Sequence, residues 1–204
     1  MAKKRRKPKK NVVTSKFTPI RYLMTKARGL PIVKTYIKDI WDSDGITIAL
    51  VIRQQGNGKY IIGCYILDAY CLGLRESFFK FNMTWEEIEF LYLDVNNKVE
   101  GGVYVESTPR YVQGFIKSCI QYAETLGLEP HLSFQATKFL LDPLEEVKAI
   151  DMMFGYKGRP TYISMPHEVN YSIVHQLNKK LGKENYDLVI RKEVNYLLDK
   201  APTS

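Results

Sequence analysis

The densest functional groups in this sequence are cations. Lys3, Lys4, Arg5, Arg6, Lys7, Lys9, Lys10, Lys16, Arg21, Lys26 and Arg28 all precede Gly29, and no acidic residue comes before Asp39. Ammonium and guanidinium groups at this density neutralise phosphates and release condensed counterions, which gives strong, salt-sensitive and nearly sequence-blind binding to a polyanion. The partner class this implies is nucleic acid. RNA is the first expectation, because an extended tail can enter narrow grooves of folded RNA that exclude a folded domain, and DNA is the alternative. A tail that serves only solubility is the plainer reading of the same residues. A membrane anchor would need bulky apolar groups among the cations, whereas Val12, Val13, Phe17 and Ile20 follow the densest charge.

A second group, Asp68, Cys71 and Glu76 with the distant His131, brings two carboxylates, a thiol and an imidazole, the groups used in acid–base and nucleophilic chemistry. These four form the candidate pocket, and an enzyme acting on nucleic acid or a small molecule at the Asp68–Glu76 turn is the alternative function. The structural reading is a buried turn at the end of a strand, with no catalytic residue assigned. Nothing resembles a serine nucleophile elbow or a phosphate-binding Gly-Lys-Ser loop. Carboxylates at Asp39, Asp42, Asp44, Asp68 and Glu76 could in principle gather metal ions for a nuclease, but Asp42 and Asp44 read more simply as turn residues. Cys64 and Cys71 do not have a zinc spacing, and His167 and His175 on one helix would stand about 12 Å apart. No metal and no other cofactor is expected. Cys119 falls on an apolar helix face and reads as a small buried hydrophobe.

Positioning these groups requires a folded body, and the sequence supplies one. The chain has 204 residues, 45% of them hydrophobic, enough for a single core. Ile32–Ile40, Ile46–Arg53 and Lys59–Leu67 are rich in β-branched residues and are separated by turn-forming clusters, Asp42–Gly45 and Gly56–Gly58. They predict an antiparallel meander, with Leu74–Phe81 as a fourth strand. Thr84 three residues before Glu87 is a capping-box pattern that opens a short helix ending near Asp94. Pro109–Leu126 is the strongest helix, with Thr108 as N-cap, Gly127 as its stop, and Val112, Phe115, Ile116, Cys119, Ile120, Ala123 and Leu126 on one face. Phe134–Leu141 reads as a short helix, Ile150–Phe154 with Thr161–Met165 as a late hairpin, and Pro166–Leu181 and Tyr186–Leu198 as terminal helices.

The segments Leu30-Pro31-Ile32, Gly63-x-Tyr65-x-x-Asp68, Cys71-Leu72-Gly73 and Pro130-His131 resemble a family of uncharacterised bacterial proteins with comparable leucine-proline and cysteine-leucine-glycine patches. The resemblance spans roughly Gly29 to Met165. It implies a bacterial origin and one module, and it brings no activity or catalytic residue.

Charge divides the chain. Removing the eleven early cations from 30 basic residues leaves 19 against 22 acidic ones, a net charge of −3 for Gly29–Ser204 in a protein of formal charge +8. Residues 1–28 are therefore expected to be a disordered basic arm, and 29–204 a single α+β domain, an antiparallel β-meander sheet packed by helices. A mildly acidic body also suits a basic protein partner. The tyrosines are not interleaved with clustered cations and read as packing residues. No stretch is long and apolar enough for a membrane span, no signal sequence is recognisable, and three cysteines without a Cys-x-x-Cys pair fit reduced thiols. The expected location is the cytoplasm.

Overall fold

A computed structural model describes residues 17–39, 45–94 and 102–191. The cations from Lys3 to Lys16, the turn at Asp42 and Asp44, and the stretch after Arg191 lie outside the described residues. The fold is α+β, a five-stranded antiparallel sheet packed by helices. Strands β1 (Ile32–Lys38), β2 (Ile46–Gln54), β3 (Tyr60–Asp68) and β4 (Gly73–Met83) pair consecutively as a meander. β5 (Tyr104–Glu106), too short to be visible as a pattern, pairs with the free side of β1, so the order is β4-β3-β2-β1-β5. The β2–β3 hairpin closes where Gln55 N–H donates to the Lys59 carbonyl at 2.7 Å and Lys59 N–H donates to the Asn57 side chain at 3.1 Å.

Alternation along the strands gives the sheet two apolar faces. Ile37, Ala49, Val51, Tyr65 and Leu67 face α3 (Pro109–Thr125), whose buried stripe is Val112, Phe115, Ile116, Cys119 and Ile120. Tyr36, Leu50, Ile52, Ile62 and Cys64 face α2 (Trp85–Ile88) and the wider turn Glu89–Asp94. Both helix starts follow the sequence. Thr108 accepts from Tyr111 N–H at 3.3 Å, and Thr84 and Glu87 form the reciprocal capping box. α4 (Phe134–Thr137) continues as the tight turn Lys138–Leu140, and α5 (Tyr171–Leu181) is capped by Asn170.

Three expectations are corrected. The disorder expected over residues 1–28 does not hold for residues 19–26, which form the helix α1 (Pro19–Lys26), and Leu23 and Ala27 are fully buried. The late hairpin is absent. Ile150, Met152 and Phe154 alternate onto the core as a strand would, but the Ile150 backbone bonds to Ser118 of α3, at 2.9 Å through its N–H and 3.1 Å through its carbonyl. Thr161–Ser164 is a strand, β6, yet its partner is β7 (Asp187–Ile190), which runs parallel to it. Helix was expected over Tyr186–Leu198, and the apolar run Leu188-Val189-Ile190 instead pairs as strand, consistent with its β-branched residues.

Candidate functional site

Among the described residues, the first cations in the chain lie on and just after α1. Thr18 caps it by accepting from Arg21 N–H at 3.3 Å, and Pro19 occupies the first turn, where its missing N–H is no loss. Leu23 and Ala27 seat the helix on Ile61 and Leu140, and Tyr22, Phe79, Phe81 and Phe139 pack around them.

A buried guanidinium fixes the exit of this helix. Arg53, only 2% exposed, projects from β2 and donates Nε to the Leu140 carbonyl at 2.8 Å and Nη1 to the carbonyls of Arg28 and Leu30. Its Nη2 pairs with Asp142 at 2.7 Å. The other Asp142 oxygen accepts from Gln113 of α3 at 2.9 Å, and Gln113 accepts in return from Asp142 N–H at 2.6 Å. Desolvation pushes the Asp142 carboxyl up, but hydrogen bonds from Gln113 and Arg53 and the charges of Arg53 and Arg28 outweigh it. The carboxyl therefore lies below its ordinary value and stays ionised.

The outer side of α1 is both apolar and cationic. Phe17, Ile20 and Met24 are 65%, 52% and 55% exposed. Arg21, Lys26 and Arg28 are exposed on the same helix and its exit, Arg21 next to Ile20 and Lys26 on another side of the helix. The Phe17 ring meets the edge of Tyr22 at 6.1 Å and tilts on Phe81 at 5.7 Å, while Tyr22 and Phe81 contact each other edge-on at 5.2 Å. Beside them the Arg28 guanidinium lies 5.3 Å from the centre of the Phe139 ring, and the Lys138 ammonium 5.6 Å from it. Residues 17–30 and 134–140, which build this face with Phe79 and Phe81, contain no aspartate or glutamate. Glu86, Glu87 and Glu89 stand with α2 across the sheet, on its opposite side. Lys138, Phe139, Tyr22, Phe81 and the ring of Phe17 escaped the sequence reading, which sought interleaved cations among tyrosines. Phe79-Lys80-Phe81 and Lys138-Phe139 were the available signal.

The four candidate pocket residues do not converge. Asp68 is buried at the end of β3, where its Oδ1 accepts from the N–H groups of Tyr70 at 2.8 Å and Cys71 at 2.9 Å. The turn it closes is tied on every side. Ala69 N–H donates to Gly45, Ala69 accepts from Gly155 N–H, and Tyr70 accepts from Thr161 N–H of β6. Burial raises the Asp68 carboxyl above its ordinary value against the pull of these N–H groups. Cys71 is fully buried among Ala123, Leu126, Tyr162 and Leu177, and desolvation, then the Asp68 charge, push its thiol far up, away from thiolate character. Glu76 is exposed on β4 opposite Ile66, facing the α2 side. His131 alone borders a cleft, of about 490 Å³, between β4, the loop after α3 and the β6–α5 unit. Arg75, which sits at a β-bulge, also lines it, and so do Glu129, Ser164 and Glu168. Cys119 is buried in the main core, as its helix face predicts.

Among the described residues no three His, Cys, Asp or Glu side chains gather as a metal site requires, and no helix is long and apolar enough to cross a membrane. Comparison with known proteins finds no match to this chain among protein-family models, curated proteins or solved structures.

Proposed function

We propose that this chain is a nucleic-acid-binding accessory protein, with RNA as its first partner and DNA as the second. The basic N-terminal segment supplies affinity, and the body adds the face around α1. The observation that carries this reading is the division of charge. Eight of the 30 basic residues and none of the 22 acidic ones lie before Phe17, so the remaining 22 cations balance the acids and the whole excess resides in residues 1–16. Around α1 the cations Arg21, Lys26, Arg28 and Lys138 continue that charge onto the folded surface. Phosphates engaged by the segment would meet further cations there rather than repulsion.

An enzyme at the Asp68–Glu76 turn draws less support, since the Asp68 carboxylate is engaged by backbone N–H groups and the Cys71 thiol is enclosed by side chains. The test is the salt dependence of binding to RNA and DNA of equal length. One protein is the full chain, and the other carries glutamine in place of Lys3, Lys4, Arg5, Arg6, Lys7, Lys9 and Lys10. The slope of log affinity against log salt is expected to become shallower by roughly 5 to 6 in the variant. Equal affinity and slope for the two proteins, or no binding by either, removes the proposal and leaves a solubility tail.

A further inference from the structure

Resting on the reading of residues 1–28 as a polyanion binder, we infer that the α1 face selects single-stranded nucleic acid by stacking an unpaired base on Phe17. Phosphate contacts from a flexible cationic segment do not distinguish a single strand from a duplex. Discrimination needs a group that reads what only a single strand offers, the π-face of an unstacked base.

Phe17 has the properties such a group requires. Its ring is 65% exposed and lies seven residues beyond Lys10, where the densest run of cations ends. It packs against both Phe81 and Tyr22, with planes inclined at 52° and 62°, and these two contacts restrict its orientation before a ligand arrives. Ile20 and Met24 continue the exposed apolar surface along α1, and a stacked base would cover part of it. Arg21, one helical turn on from Phe17 and exposed, is the cation placed nearest in the helix to hold a phosphate beside a base on Phe17, and Lys26 and Arg28 extend the positive charge to the helix exit. The arrangement combines an aromatic platform with cations, and the nearest carboxylate, Asp142, is already engaged by Arg53 and Gln113, which fits a polyanion bearing flat bases and disfavours an acidic or neutral peptide.

The experiment uses the full chain and fluorescently labelled probes. These are oligouridylate, oligothymidylate, a duplex RNA with the same number of phosphates, and vesicles containing phosphatidylserine. The wild type is expected to prefer both single strands to the duplex. Phe17→Ala should lower single-strand affinity about five- to a hundred-fold, leaving duplex affinity and the salt slope unchanged. Phe17→Trp should keep the preference, and its fluorescence should be quenched by single strands alone. If Phe17→Ala leaves single-strand binding intact, or single strand and duplex bind equally, the stacking inference fails while a steep salt slope still upholds the polyanion reading. If no nucleic acid binds, both fail. Tighter binding to the vesicles than to oligouridylate overturns the inference and identifies the exposed side of α1 as a membrane-facing surface.

Discussion

Asp68 is a buried acid whose carboxylate accepts from backbone N–H groups and feels the Arg75 charge. Its oxygen organises the turn between β3 and β4, and through that turn the attachment of β6, by accepting from Tyr70 and Cys71 N–H groups. Removing the acceptor and removing the charge are therefore different perturbations. Asp68→Ala leaves two buried N–H groups unsatisfied and should cost about 1–3 kcal/mol in chemical denaturation. Asp68→Asn keeps an accepting oxygen without the buried charge. Because the folded carboxyl is raised above 3.8, the wild type has its full contribution from this group below that pH and loses it as pH rises through the folded value. Asp68→Asn should lack that loss, so its stability relative to the wild type should increase as the pH is raised from below 3.8. A catalytic Asp68 would instead be indifferent in stability and sensitive in turnover.

At the scale of elements, α1 is a short helix whose place depends on packing, since eight residues are too few to be stable alone. Leu23 and Ala27 give it an apolar seat, and Arg53 binds the carbonyls that follow it. The same guanidinium reaches Leu140 and Asp142, so one side chain of β2 joins the helix exit to the turn that carries Lys138 and Phe139. Arg53→Met should destabilise the protein by about 3–5 kcal/mol, because it strands Asp142 and several carbonyls in partly buried surroundings. Urea denaturation measures the loss, and faster amide exchange at Leu23 would locate it at α1. Gly73 explains the Cys71-Leu72-Gly73 patch in the same physical terms. Its φ is +63°, and a Cβ there would lie 2.5 Å from the Cys119 carbonyl oxygen, so the turn approaches α3 too closely for a side chain.

At the scale of the whole molecule, the proposed function assigns two cationic regions to one ligand, residues 1–16 and the α1 face. Lys26 and Lys138 are on separate elements outside residues 1–16, and their contributions to phosphate binding should add to that of the N-terminal cations. Replacing both with glutamine should make the salt slope shallower by about 1 to 2 and weaken single strands and duplexes alike, in contrast to Phe17→Ala. Titration at several salt concentrations separates the two effects. Local pattern was enough for the meander, the capped helices α2 and α3 and the excess of charge at the start, because turn residues, caps and periodicity act over a few positions. The same local rules failed at Ile150–Phe154 and at Asp187–Ile190, where the backbone partner is Ser118 in one case and β6 in the other, each far along the chain. Charge by itself marked Arg21, Lys26 and Arg28 from the sequence. Their union with Lys138, Phe139, Phe81 and an exposed Phe17 was decided only by the tertiary structure, which folds α1 onto the sheet beside a turn more than a hundred residues away through the buried contacts of Leu23 and Arg53.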